Sequence, residues 1–160
     1  MTIKPGESLP HAEFSIITAD GSQKLSTENV FTGRKVVLFA VPGAFTPTCS
    51  MNHFPGFLKA FDAIKAKGVD TVACTSVNDS HVMSAWAKAS GNDGKIKMLA
   101  DGNGAFAKAL GLEVDLSGSG MGLRSRRYSM IVENGVVKTL NVEEKSGVNV
   151  SGAETILDQL

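Results

Sequence analysis

The sequence predicts an α/β domain of three layers: a mixed sheet with helices on both faces and a β-hairpin at the N-terminus. Three observations carry this. The run Val36-Val37-Leu38-Phe39-Ala40-Val41 is apolar without interruption, the mark of a strand buried on both faces. Strand-like and helix-like segments then alternate through the middle of the chain, and a hairpin followed by a helix closes it. The 160 residues are one domain's length, with no boundary, internal repeat or low-complexity tract, so residues 1–160 are expected to form a single domain.

Taken in order, Glu13-Phe14-Ser15-Ile16-Ile17 alternates, Ala19-Asp20-Gly21-Ser22 turns and Lys24-Leu25 returns, which gives a hairpin flanking the main sheet. Residues 36–41 form the central strand. Beyond a loop through Pro47, apolar residues at Phe54, Phe57, Leu58, Phe61 and Ile64 follow the three-and-four spacing of a helix packed on one face, stopped by Lys67-Gly68. Residues 69–77 read as the next strand. Asp79 or Ser80 caps a helix that buries Val82, Met83 and Trp86 and ends near Gly91, completing a βαβ unit. Residues 96–99 read as a short strand, 106–110 as a short helix before Gly111, and 117–122 as a Gly-rich loop ending in a basic cluster. Asn134-Gly135 between strands 128–132 and 136–140 is the clearest hairpin signal. Ser151 with Glu154 reads as a capping box opening a C-terminal helix through Ile156 and Leu157. These patterns leave the strand order open.

Composition excludes several functions. Lys plus Arg and Asp plus Glu number 16 each, so the chain offers a polyanion no overall field, and nucleic acid is not an expected partner. Hydrophobic residues at 42% and charged residues at 20% lie far from the signature of disorder. No apolar run approaches the roughly 20 residues of a membrane helix, so no membrane association is expected. Residues 1–7 resemble neither a secretory signal nor a transit peptide, which makes the cytoplasm the expected location, or an organelle if a presequence has been removed. The two cysteines, Cys49 and Cys74, are too few for a disulfide scaffold and are not spaced for a metal. If sulfur matters here, its reactivity is the reason.

The segment joining the central strand to the first long helix, Val41-Pro42-Gly43-Ala44-Phe45-Thr46-Pro47-Thr48-Cys49-Ser50, is the most informative. Such junctions are where α/β domains place reactive groups. A helix beginning near Pro47 puts Cys49 in its first turn, where free backbone N–H groups and the positive end of the helix dipole favour a thiolate. Pro42 and Pro47 stiffen the loop, and Thr46 offers a hydroxyl three residues before the sulfur. A lone cysteine is more often a small buried hydrophobe, and Thr46 alone reads equally as a helix cap.

Pro42, Thr46 and Cys49 match the order proline, three residues, threonine or serine, two residues, cysteine, and in this the segment closely resembles the peroxidatic loop of peroxiredoxins. His53-Phe54-Pro55-Gly56-Phe57, Ser76-Val77-Asn78-Asp79 and Arg127-Tyr128-Ser129-Met130 extend the likeness to the type II, or peroxiredoxin-five, subgroup over nearly the whole chain. The resemblance implies a thioredoxin-like fold and reduction of hydrogen peroxide and alkyl hydroperoxides by Cys49, which becomes a sulfenic acid. It implies that Arg127 completes the site, with Arg124 and Arg126 as neighbours, not equivalents. Arg127, the Thr46 hydroxyl and backbone N–H groups near Gly43 and Cys49 then bind the hydroperoxide, and Pro42 shields the sulfur, with no metal or bound cofactor required.

Many relatives resolve the sulfenic acid with a second cysteine near the C-terminus, but Val148-Asn149-Val150-Ser151 contains none. Cys74 sits mid-strand in an apolar run, where an inert buried thiol is the favoured reading. An external resolving thiol is therefore expected, and the resemblance to cysteine-poor type II members implies glutathione followed by glutaredoxin as the reductant, or thioredoxin. A homodimer is expected from the family's habit of pairing around the active-site loop. The different-class alternative is a peroxide sensor or relay that passes oxidation from Cys49 to a partner protein; a noncatalytic domain of the same fold is a third reading.

Other signals are weaker. His53, four residues after Cys49, shares its helix face, the spacing of a Cys–His hydrolase pair, although a helix-embedded histidine more often packs or hydrogen-bonds. His11 and His81 lack metal-ligand spacing. Gly118-Ser119-Gly120-Met121-Gly122 lacks the context of a dinucleotide site, and Asp101-Gly102-Asn103-Gly104 is a turn whose calcium-loop likeness fails at Leu112. Trp86 and the Phe54/Phe57/Phe61 stripe are assigned to the core.

Overall fold

The structure, a computed structural model, describes residues 1–160. Its central strand, β3 in chain order (Lys35–Ala40), is apolar at odd and even positions alike, so both of its faces need cover. Val36, Leu38 and Ala40 enter one core; Val37 and Phe39 enter another. The first core is closed by α1 (Thr27–Phe31) and α4 (Ala105–Leu110), through Val30, Phe31, Phe106 and Leu110. The second is closed by α2 (Phe54–Ala66), α3 (Ser80–Ala89) and α5 (Ala153–Gln159), through Phe54, Phe57, Met83, Trp86 and Ile156.

The remaining strands of the sheet are β1 (Glu13–Thr18), β2 (Gly21–Ser26), β4 (Thr71–Ser76), β5 (Lys97–Ala100), β8 (Tyr128–Glu133) and β9 (Val136–Val142). Their order is β2-β1-β5-β4-β3-β8-β9. β3, β4 and β5 run parallel, while β1 against β5 and β8 against β3 are antiparallel, so the sheet is mixed, as the sequence predicts. The N-terminal hairpin does more than flank this sheet, because β1 pairs with β5 and extends its edge. Asn134 and Gly135 both take positive φ, 48° and 77°, the left-handed pair that a two-residue hairpin turn requires. No helix is long and apolar enough to cross a membrane.

Three local readings change. A short helix, α1, follows the first hairpin directly, with Ser26 and Asn29 forming a reciprocal cap. The Gly-rich loop is the tip of a small separate hairpin, β6 (Glu113–Asp115) with β7 (Leu123–Ser125), whose strands are too short to show a period. Ser151 is not the cap of α5. Gly152 holds that position without a side-chain cap, and the Ser151 hydroxyl instead donates to Glu143 at 2.7 Å. Ser151 stands one residue before the cap position, and its hydroxyl proton goes to the buried carboxylate, a strong acceptor.

Candidate active site

The β3 ladder ends at Val41, whose N–H donates to the Thr75 carbonyl at 3.1 Å; Pro42 has no N–H with which to continue it. The loop that follows is tied down from two sides. Asn78, just beyond β4, accepts from Ala44 N–H at 3.0 Å and from the Ser76 hydroxyl at 2.6 Å. The Thr46 hydroxyl donates to the Gly43 carbonyl at 2.7 Å, and a Cβ on Gly43 would stand only 3.1 Å from the Thr46 methyl and 3.0 Å from that of Met121. Between them Phe45 takes φ 64°, uncommon for a bulky residue, with its ring half exposed.

Helical hydrogen bonding begins where Ser50 N–H meets the Thr46 carbonyl at 2.9 Å, so Cys49 lies in the opening turn, as predicted. That turn, Cys49–His53, is a π-helical segment leading into α2, closed by a bond from Phe54 N–H to the Cys49 carbonyl. Three contacts seat it. Trp86 Nε1 donates across from α3 to the Ser50 hydroxyl at 2.9 Å. Phe39 stacks on Phe57 with ring centroids 4.1 Å apart, and Phe54 packs on Trp86 at 4.7 Å. Cys49 is buried.

Arg127, immediately before β8, reaches this turn from 78 residues away: its Nη2 donates to Cys49 Sγ at 3.2 Å and its Nη1 to His53 Nδ1 at 3.0 Å. Its neighbours do otherwise. Arg124 binds the carbonyls of Met121 and Val77, and Arg126 is exposed. Arginine can only donate, so His53 Nδ1 must be the acceptor, and Nε2 carries the proton and donates to the Ser151 carbonyl at 2.9 Å. Burial chiefly, and the Arg127 charge, push the His53 pKa down to about 4, against the opposing pull of the Ser151 carbonyl and of Glu143. The neutral tautomer is thereby fixed.

Ser151 is itself anchored. One oxygen of the buried Glu143 accepts from the N–H groups of Asn149, Val150 and Ser151, each within 2.8 Å, and from the Ser151 hydroxyl. Burial alone would raise the Glu143 pKa, but these donors outweigh it and hold the carboxyl below its usual range. Glu143 N–H in turn donates to the Arg127 carbonyl at 3.0 Å. A continuous path thus runs Glu143, Ser151, His53, Arg127, Cys49.

Cys74 lies in β4 opposite Phe39 and Met98, free and fully buried, and burial pushes its thiol pKa well up. His11 pairs with Glu28 at 2.9 Å, and Asp101 caps α4 through Phe106 and Ala107 N–H. The structure therefore brings Cys49 and Arg127 together and sets Thr46 against Gly43, with Pro42 at the strand end. The sequence marks His53 by its spacing, but the contact to Arg127 replaces the hydrolase pair. Glu143 carries no motif that would have marked it, and the capping pattern that singles out Ser151 points to a helix end and not to this site.

The redoxin family model matches residues 4–157. Peroxiredoxin-2C of Oryza sativa subsp. japonica is 48% identical over 156 residues, covering 97% of this chain and 96% of that protein. Peroxiredoxin-2E-2, chloroplastic, of the same plant is 50% identical over 99% of this chain and 73% of its own length. Reduced Prx3 of Vibrio vulnificus, solved in complex with hydrogen peroxide, superposes with a TM-score of 0.95 at 54% identity, covering 99% of each chain. With its thioredoxin-like sheet and its likeness to type II peroxiredoxins, the chain belongs to the redoxin family and is a peroxiredoxin, a thiol-dependent peroxidase.

Proposed function

We propose that Cys49 is the peroxidatic nucleophile of one domain spanning residues 1–160, with Arg127, Thr46 and Pro42 as its catalytic partners. Gly43, Thr46, Cys49 and Arg127 form the hydroperoxide site. The observation that carries the reading is the Arg127 guanidinium on Cys49 Sγ at 3.2 Å, held there from its other side by His53. The thiolate attacks the terminal peroxide oxygen; the S–O bond forms as the O–O bond breaks, and the leaving alkoxide takes a proton to depart as water or alcohol. Negative charge spreads from sulfur onto oxygen, where a fixed guanidinium stabilises it most. The Thr46 hydroxyl, whose proton is committed to the Gly43 carbonyl, keeps its lone pairs to accept the hydroperoxide O–H. Pro42 keeps water from the sulfur.

The sulfenic acid is resolved by an external thiol. No cysteine stands between residues 148 and 151, and the buried Cys74 thiol, its pKa raised by that burial, is a poor nucleophile at neutral pH. Glutathione with glutaredoxin is the reductant, with thioredoxin as the competing system. The enzyme works as a homodimer, a reading supported by Phe45 and Met51, both exposed on the active-site segment. It acts in the cytoplasm, or in an organelle, as the chloroplastic rice relative allows.

Peroxide consumption by wild type and Cys49→Ser, with glutathione plus glutaredoxin and separately with thioredoxin, tests this. Turnover with glutathione and glutaredoxin that vanishes in the variant is the expected result. Oxidation of Cys49 that neither system reverses would leave the reactive thiol and move the function to a sensor or relay.

A further inference from the structure

Beside the reacting groups lies a cavity of about 410 Å³, bordered by Pro42, Thr48 and Arg127. Its size is that of a small-molecule site, about 300 Å³ or more, and exceeds what hydrogen peroxide needs. Val114 and Leu116 supply an apolar wall. Arg126, before β8, and Glu144 and Lys145, after β9, supply charge. These last three side chains are exposed, and none enters an ion pair; the chain's two pairs are His11–Glu28 and Lys35–Glu133. Hydrogen peroxide carries no charge, so the oxidant does not account for two free cations and a free anion at the mouth of its own site.

We propose that this cavity is the binding site for glutathione, an inference that rests on the external-thiol reading above. Glutathione is a tripeptide with two carboxylates and one ammonium group flanking a central thiol, the charge complement of Arg126, Lys145 and Glu144. Arg126 and Lys145 take the carboxylates, Glu144 takes the ammonium, and the apolar wall faces the cysteinyl stem. The seated thiolate attacks the sulfenic sulfur of Cys49; an S–S bond forms, the S–O bond breaks, and the hydroxide leaves as water after taking a proton. The glutaredoxin thiolate then attacks the glutathione sulfur of the mixed disulfide, which releases Cys49 as thiolate, and a second glutathione frees glutaredoxin with glutathione disulfide as product. Because Cys49 is buried, the opening turn must part locally for the first attack.

Exposed pairs are individually weak, so the test removes both cations at once. In R126Q/K145Q, the KM for glutathione is expected to rise about tenfold, while turnover with uncharged dithiothreitol and oxidation of Cys49 by hydrogen peroxide stay unchanged. Glu144→Gln is expected to raise the same KM; a lowered KM would show that Glu144 only repels an anion and would overturn the assignment. An unmoved glutathione KM in R126Q/K145Q, an equal loss with dithiothreitol, or a loss confined to a fatty-acid hydroperoxide would also overturn it, the last by giving the cations to the oxidant. A wild-type enzyme that glutathione fails to reduce sinks the reductant reading itself, whereas wild-type turnover with unmoved KM in the variants sinks the subsite alone.

Discussion

Arg127 has donors only, so its hold on His53 lasts while His53 Nδ1 is bare. This gives the two nitrogens of one ring separable roles, and substitutions separate them. In His53→Asn the amide oxygen lies near the place of Nδ1 and keeps an acceptor for Arg127. His53→Gln reaches instead toward Ser151, and His53→Ala offers neither. Rates of Cys49 oxidation by hydrogen peroxide are expected to fall in the order wild type, Asn, Gln, Ala, with the alanine variant about tenfold down or more. Equal loss in Asn and Ala variants that remain folded would deny the acceptor its role. At this scale the sequence was most legible within ten residues of Cys49, where Pro42, Gly43 and Thr46 keep a fixed spacing. Arg127 was legible only through the family pattern, and its bond to His53 spans 74 residues, a distance over which residue spacing carries no signal.

Elements meet at the opening turn of the Cys49 helix, and what holds it is borrowed from other elements. Trp86 in α3 bonds Ser50, and the Glu143 carboxylate at the end of β9 gathers the strap 149–151 that receives His53. Glu143→Ala orphans three backbone N–H groups, the Ser151 one fully buried and the other two part-buried, and is expected to cost about 3 kcal/mol in urea unfolding, together with a slower Cys49 oxidation. Ser50→Ala removes one bond and should cost about 1 kcal/mol, read in the same way. The long elements were legible because β3 is apolar on both faces and α2 repeats at helical spacing. The Ser151 misreading shows the limit of a local rule: Ser and Glu three residues apart satisfy the capping pattern, yet a carboxylate eight residues upstream takes the hydroxyl. The hairpin β6–β7 has three-residue strands with few buried side chains, which leaves no periodicity to read.

Across the whole molecule, the sheet's two cores make stability depend on groups that the site also uses. His53 titrates near 6.5 in the unfolded chain and near 4 when folded. Between those values the unfolded state binds the additional proton, so stability falls as pH falls through this window, by about 3 kcal/mol in all. Glu143, whose pKa is lowered by its donors, adds a loss in the same direction below its ordinary 4.5. Urea midpoints measured against pH should therefore drop on acidification, and His53→Asn should flatten the upper part of that slope. A wild-type midpoint constant from pH 6.5 down to 4 would contradict the buried, neutral histidine.

The chain's one tryptophan lies in the same core, bonded to the residue after Cys49, which makes its fluorescence a reporter of the sulfur's oxidation state. Stopped-flow mixing of the reduced enzyme with hydrogen peroxide, comparing wild type with Arg127→Gln, tests most directly whether Arg127 activates Cys49. A second-order rate about 100-fold lower in a folded variant is the expected result, the scale of losing one fixed donor to developing charge. A variant that reacts about as fast as wild type would contradict it.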